Sequence, residues 1–128
     1  MKLESVFKKY GIEAVYLFGS RANGKIHKKS DIDIAVRFSK KLSLQKLLML
    51  ANELTSSLGA EADILDLDSA PLPLQFRVFQ ARKLLYAKNP KEEILKQAKA
   101  ITLYFDYKYY YDRFVKFETD RILQHGLI

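Results

Sequence analysis

The chain contains no cysteine, only three prolines and only five glycines among its 128 residues. Without cysteine it can form neither disulfides nor cysteine-based zinc sites. No apolar run approaches the ~20 residues that a membrane-spanning helix needs. The first ten residues, MKLESVFKKY, lack the long apolar centre and the small-residue cleavage site of a signal peptide. We therefore expect a cytoplasmic protein without membrane contact, of a length typical of one domain.

Acidic residues are fewer than basic ones, 15 against 22, and the formal net charge is +7. Such a balance suits a nucleotide, a nucleic acid or an acidic partner protein. A general nucleic-acid binder would combine one basic face with aromatic stacking residues. Here the most distinctive basic run, residues 27–29, lies in a loop between two candidate strands. Direct nucleic-acid binding is therefore the less favoured interpretation, and most other lysines are interpreted as solvated surface.

The most informative stretch is FGSRANGKIHKKSDIDIAV, residues 18–36. The apolar run that ends at Phe18 predicts a strand over residues 12–18, and alternation predicts a second strand over residues 32–38. On the second strand Asp31 and Asp33 lie on one face, with Cα atoms roughly 6.6 Å apart, and the large apolar side chains lie on the other. Two close carboxylates repel each other. A divalent cation such as Mg²⁺ or Mn²⁺ relieves that repulsion and takes the rest of its ligands from water and substrate phosphates.

The Gly-Ser end of the same stretch predicts a phosphate site. Gly19 allows a sharp turn and the close approach of a phosphate, and Ser20 offers a hydroxyl and a backbone N–H at the start of a short helix. Arg21 and the loop lysines Lys25, Lys28 and Lys29 add positive charge. Two metal ions about 3.5–4 Å apart at such a site would support an in-line displacement. The alternative is an ordinary hairpin with a charged loop, in which His27 is solvated rather than catalytic.

Gly-Ser, ten residues and Asp-x-Asp resemble the signature of the DNA polymerase β-like nucleotidyltransferases. The version GSRANG…SDIDIAV resembles the minimal nucleotidyltransferase (MNT) domain, the antitoxin half of MNT/HEPN toxin–antitoxin pairs. The family loop usually reads GSRARG, so Asn23 departs from it and weakens the expected phosphate binding unless Arg21 and the lysines compensate. We assign nucleotide binding to five residues of this stretch: Gly19, Ser20, Arg21, Lys25 and Ser30.

A third carboxylate is expected on a strand over residues 62–67. A leucine-rich helix, capped by Ser39 or Ser43 and ending near Gly59, should pack on the apolar face of the second strand. If Ile64 also faces that helix, Asp63 lies on the same face as Asp31 and Asp33. The segment ADILDL resembles the family segment that carries the third carboxylate at the position of Asp63. The predicted catalytic and metal-binding residues are therefore Asp31, Asp33 and Asp63, with Asp66 as the alternative to Asp63.

Local signals predict the remaining elements, which are helices over residues 2–9 and 74–81 and an edge strand over residues 82–86. Asn89, Pro90 and Glu92 form a capping box that starts a long helix without Gly or Pro until Gly126. Right-handed β-α-β connection is expected between the second and third strands. The fold class is therefore α/β (α+β), a mixed twisted sheet of three to four strands with helices mainly on one face. We predict a nucleotidyltransferase domain over residues 1–88 and a helical extension over residues 89–128.

The C-terminal helix is rich in aromatic residues. Ile94, Ala98, Ile101 and Phe105 form a stripe that we expect to face the domain. Five of the eight tyrosines follow between residues 104 and 111, more than one helix can bury against a small domain. We therefore expect part of this surface to contact a partner chain in a homo- or hetero-oligomer. The alternative is a helix folded back over the sheet. Arg77 and Arg82, earlier in the chain, are interpreted as surface residues rather than phosphate ligands.

The resemblance implies a Mg²⁺-dependent nucleotidyltransferase that uses ATP or another NTP, with Mn²⁺ as the alternative metal. It implies that the partner is a HEPN ribonuclease toxin, neutralised by AMP transfer to a tyrosine, by masking, or by both. The chain has no separate domain to hold an acceptor, which favours an acceptor on the partner. Two other functions stay open: an antitoxin that acts by binding alone, and a nucleotidyltransferase that modifies small molecules such as aminoglycosides.

Overall fold

The structure is a computed structural model that describes residues 2–19 and 32–126. In chain order the elements are α1 (Lys2–Lys9), β1 (Ile12–Phe18), β2 (Ile32–Phe38), α2 (Leu44–Leu58), β3 (Ala62–Asp66), α3 (Leu72–Gln80), β4 (Leu84–Ala87) and α4 (Pro90–His125). Among the helices of these described residues, none is both long and apolar enough to cross a membrane.

The four strands form one mixed sheet in the order β3-β2-β1-β4. β1 lies between β2 and β4 and is antiparallel to both. β2 and β3 are parallel and are joined through α2. The fold class predicted from the sequence is confirmed, with four strands. The bounds of β1 and β2 match the prediction, whereas β4 begins two residues later than expected, because Arg82 leaves α3 with a positive φ of 54° before the strand can start.

Helices cover both faces of the sheet, which corrects the expectation that they pack mainly on one. On one face Ile34 and Val36 pack with Leu50 and Leu54 of α2. On the other face the sheet residues Ala14, Tyr16 and Ala35 pack with α3 and α4 through Val78, Phe79, Ala100 and Ile101. The reason is that the central strands are buried on both sides, so a second helical layer must cover the face that α2 leaves open.

Local capping signals place the ends of the two longest helices. The Ser43 hydroxyl accepts a hydrogen bond from the Lys46 N–H at 3.3 Å, and Gly59 ends α2 in the left-handed conformation. The Asn89 side chain accepts from the Glu92 N–H at 3.2 Å at the start of α4. α4 then continues for 36 residues, which corresponds to a length of about 54 Å.

The predicted inward stripe of α4 was wrong at three positions. Ile94, Ala98 and Phe105 are exposed, although the Phe105 ring contacts the Phe76 ring. The side chains that face the domain are instead Glu93, Lys96, Gln97, Ala100, Ile101 and Tyr104. The physical reason is that the sheet presents two polar groups here, the Arg37 guanidinium and the Tyr16 hydroxyl, so the facing turn of α4 carries a carboxylate and an amide to match them.

Candidate active site

Two of the predicted carboxylates are direct neighbours in the sheet. In the parallel pairing of β2 and β3, Asp33 lies opposite Asp63, and adjacent strands are about 4.8 Å apart. Asp33 is half-buried and Asp63 is exposed. Each is the second residue of its strand, so the pair lies at the end of the sheet where β2 and β3 begin.

The packing of neighbouring residues defines the face on which this pair lies. Ile64 packs in the cluster that contains α2, as the sequence argument required, and Leu65 packs in the cluster that contains α3 and α4. Because side chains alternate along a strand, Asp63 shares the face of Leu65, whereas Asp66 shares the face of Ile64. Asp66 accepts a hydrogen bond from the Ser69 hydroxyl at 3.0 Å. These positions favour Asp63 over Asp66 as the third carboxylate, and its chemical role stays a prediction.

Gly19 lies directly against the Asp33 carboxylate. Its φ is +80°, a conformation that L side chains rarely adopt, and a Cβ at this position would clash with Oδ2 of Asp33 and lie 3.1 Å from its Cγ. Glycine is therefore required here for two reasons, the backbone angle and the space beside the carboxylate. The Gly-Ser motif and the second aspartate of Asp-x-Asp, which are 14 residues apart in sequence, meet at this point.

The remaining predicted site residues lie outside the described part of the chain: Ser20, Arg21, Lys25, Ser30 and Asp31. Within residues 2–19 and 32–126, no group of three or more His, Cys, Asp or Glu side chains could hold a metal. The two carboxylates that are described are hard oxygen donors on adjacent strands, and Gly19 lies against one of them. One or two carboxylates, completed by water and substrate phosphates, form a donor set that suits Mg²⁺ or Mn²⁺. The residues present therefore fit a divalent cation.

A cavity of about 200 Å³ opens next to Gly19. Its lining includes Phe18 and Gly19 at the end of β1 and Arg77, Gln80 and Ala81 at the end of α3. From the sequence, Arg77 is interpreted as a surface residue. Nothing in the local pattern could have placed it here, because its neighbour Gly19 is 58 residues away in sequence and is reached only through the packing of α3 on the sheet.

The family model described as "Polymerase beta, Nucleotidyltransferase" matches residues 1–91. The protein adenylyltransferase MntA of Shewanella oneidensis is 36% identical over 93 residues, which cover 73% of this chain and 66% of that relative. This chain therefore spans slightly less than two thirds of MntA.

Solved structures are similar over nearly the whole chain. A crystal structure of a toxin–antitoxin with AMP-PNP superimposes with a TM-score of 0.73 and 28% identity, covering 92% of this chain and 96% of the other. A crystal structure of the toxin–antitoxin MntA-HepT superimposes with a TM-score of 0.70 and 26% identity, covering 92% and 94%. The shared region is thus longer than the matched family model and includes most of α4.

Proposed function

Because this chain belongs to the polymerase β nucleotidyltransferase family, we propose that it transfers AMP from ATP to a hydroxyl group of a protein partner. We further propose that the partner is a HEPN-family toxin and that the chain acts as its antitoxin. Similarity to the adenylyltransferase MntA and to toxin–antitoxin structures supports this activity and this class of partner. The observation that carries the proposal is the convergence of Gly19, Asp33 and Asp63 at one end of the sheet, where β1 ends and β2 and β3 begin. A cytoplasmic location stays a prediction.

The carboxylates of Asp33 and Asp63, together with Asp31, would hold the divalent cations, which we propose to be Mg²⁺. Cations bound there supply charge that stabilises the phosphates during transfer. The acceptor hydroxyl oxygen bonds to the α-phosphorus, and the bond from that phosphorus to the pyrophosphate oxygen breaks. The proton of the hydroxyl passes to a carboxylate, for which we propose Asp63. Gly19 gives the phosphates room to approach Asp33, and the proposed phosphate contacts of Ser20, Arg21, Lys25 and Ser30 complete the site.

The partner surface is proposed to lie on the part of α4 from residue 103 onward. Five exposed side chains there, spaced by four and three residues in alternation, form one stripe, here called the aromatic stripe: Leu103, Tyr107, Tyr110, Phe114 and Phe117. The other face of the helix carries ion pairs such as Lys108–Asp112, with Nζ and Oδ2 3.1 Å apart. A four-three spacing is the one that packs against another helix. We propose that the two predicted parts of the chain have different roles, in which residues 1–88 carry the transfer site and residues 89–128 carry the partner surface.

A labelling experiment tests the proposal. The purified chain is incubated with its candidate toxin, ATP labelled at the α-phosphate, and Mg²⁺. We expect label on the toxin with the wild-type chain and none with Asp33→Asn, while both proteins bind the toxin. A stable complex without label on the toxin or on the chain itself would show an antitoxin that acts by binding alone. Label on an aminoglycoside in the absence of toxin would instead show a small-molecule transferase.

A further inference from the structure

The cavity beside Gly19 is lined on one side by the end of α3, here called the α3 wall of the candidate site. Across the sheet the order is Asp63 on β3, Asp33 on β2 and Gly19 at the end of β1, and the cavity follows between Gly19 and α3. Asp33 shares its face of the sheet with Ala35, and Ala35 packs in the same cluster as Val78 and Phe79 of α3. The carboxylates and α3 are therefore on the same face, and Gly19 both contacts the Asp33 carboxylate and lines the cavity beside α3.

Arg77 brings a positive charge to this wall. Its side chain is exposed, and among the described residues no carboxylate forms an ion pair with it. Arg77 and Gln80 are three residues apart on a helix, so they lie on the same side of α3. The adjacent residues Val78 and Phe79 are buried against the sheet. The backbone that carries Arg77 is thus held by the core, while its guanidinium is free to bind a ligand in the cavity.

We propose that Arg77, with Gln80 beside it, binds the phosphate groups of the nucleoside triphosphate in this cavity. The inference rests on the proposed function, since it concerns the same site. A triphosphate whose cations lie at Asp33 is within reach of this cavity, because Gly19 lies against the Asp33 carboxylate and also lines the cavity with Arg77. A guanidinium binds phosphate oxygens through two parallel N–H donors, a geometry that a neutral base or ribose does not offer. Arg77 therefore stabilises the negative charge of the pyrophosphate that leaves.

Binding measurements with Arg77→Gln test this assignment. Titration calorimetry in the presence of Mg²⁺ compares the affinities for ATP, pyrophosphate and adenosine. Hydrogen bonds to charged groups contribute enough that we expect ATP and pyrophosphate to bind about 10-fold to 100-fold more weakly to the variant. The affinity for adenosine should not change. Arg77→Lys, which keeps the charge but not the two parallel donors, should lie between the variant and the wild type.

Arg113→Gln is the matched control, because it removes an exposed arginine from the distal half of α4 and should leave all three affinities unchanged. Equal ATP and pyrophosphate affinities in Arg77→Gln and wild type would overturn the assignment, as would an equal loss of adenosine affinity. If the wild type labels the toxin while Arg77→Gln binds pyrophosphate normally, this inference fails and the proposed function stands. If Arg77→Gln weakens pyrophosphate binding but no label reaches any acceptor, the proposed function fails and this inference stands. A wild type that binds neither ligand overturns both.

Discussion

Arg37 on β2 and Glu93 in the first turn of α4 form a buried, two-point ion pair. Nε and Nη2 of Arg37 donate to Oε1 and Oε2 of Glu93 at 2.8 and 3.1 Å, and the two residues are only 7% and 3% exposed. The Tyr16 hydroxyl donates to the same carboxylate and accepts from Gln97 Nε2 at 2.7 Å. This network joins the sheet that carries the candidate site to the helix that carries the aromatic stripe. It therefore sets the direction in which α4 leaves the domain.

Removal of the Glu93 charge should be costly. In Glu93→Gln the buried Arg37 loses its main counter-charge, and breaking a buried pair in this way typically costs about 3–5 kcal/mol of the free energy of unfolding. The exposed Glu92 is a matched control from the same turn, since its carboxylate lies 3.9 Å from Lys96 Nζ and Glu92→Gln should cost under about 1 kcal/mol. Chemical denaturation measures both. Equal losses in the two variants would mean that the Arg37–Glu93 pair does not hold α4 to the sheet.

Stability should fall at alkaline pH because of Tyr16. Burial, and then the hydrogen bond to Glu93, raise the pKa of Tyr16 above its ordinary value. Above about pH 10 the unfolded chain releases this proton and the folded chain keeps it, so the folded state binds more protons and the free energy of unfolding decreases as pH rises. One proton corresponds to about 1.4 kcal/mol per pH unit.

The matching measurement compares the pH dependence of unfolding in Tyr16→Phe and Tyr110→Phe between pH 9 and 11, where the tyrosine proton is released (about pH 10). We expect Tyr16→Phe to be less stable at neutral pH by about 1 kcal/mol, for the lost hydrogen bond, and to have the shallower alkaline slope. The exposed Tyr110 should leave the slope unchanged. A slope in Tyr16→Phe equal to that of the wild type would contradict the assignment.

Gly19 and Gly59 provide a matched pair of glycine substitutions. Both have a positive φ, +80° and +71°, but a Cβ at Gly59 would meet nothing within 4 Å, whereas one at Gly19 would clash with the Asp33 carboxylate. Each Gly→Ala change should cost about 1 kcal/mol or more of unfolding free energy through its backbone angle. Only Gly19→Ala should also abolish nucleotide transfer, because the methyl group displaces Asp33. Transfer at the wild-type rate in Gly19→Ala would show that Gly19 is not part of the transfer site.

Four aspartate-to-asparagine variants test which carboxylates act in transfer. Asp33→Asn and Asp63→Asn should lose transfer and keep the wild-type unfolding curve, because neither side chain lies in the packing between α2 and the sheet. Asp31→Asn should do the same. Asp66→Asn should keep transfer, since Asp66 lies in phase with the opposite face. The reverse result, with activity lost in Asp66→Asn and retained in Asp63→Asn, would assign the third carboxylate to Asp66.

The aromatic stripe should govern binding of the partner. Tyr107 and Tyr110 belong to it, and both side chains are exposed. Replacing both by Ala should weaken the complex with the toxin by about 2 kcal/mol or more if they act as interface anchors. Tyr109→Ala removes an equally exposed tyrosine from outside the stripe and should leave the affinity close to that of the wild type. Unchanged affinity in the double variant, measured by calorimetry, would show that the aromatic stripe is not the partner surface.

The sequence by itself determined the local elements and the motif. β1 and β2 have the predicted bounds because apolar runs and strict alternation are properties of neighbouring residues. Asn89 begins its helix as predicted, and Ser43, one of the two predicted candidates, begins the other, because a cap needs only its own backbone. The Gly-Ser and Asp-x-Asp spacing identified the family for the same reason, since all of its residues lie within one short stretch.

Only the tertiary structure decided which residues from distant segments meet. The pairing of Asp33 with Asp63, the contact of Gly19 with Asp33 and the place of Arg77 beside Gly19 all depend on strand register and on the packing of α3. The predicted inward stripe of α4 failed because apolar periodicity assumes an apolar partner, and the sheet presents a guanidinium and a phenol there. The face of a helix that packs on the core is the one whose polar groups find hydrogen-bond partners there. For Glu93 that partner is Arg37, more than 50 residues away in the chain.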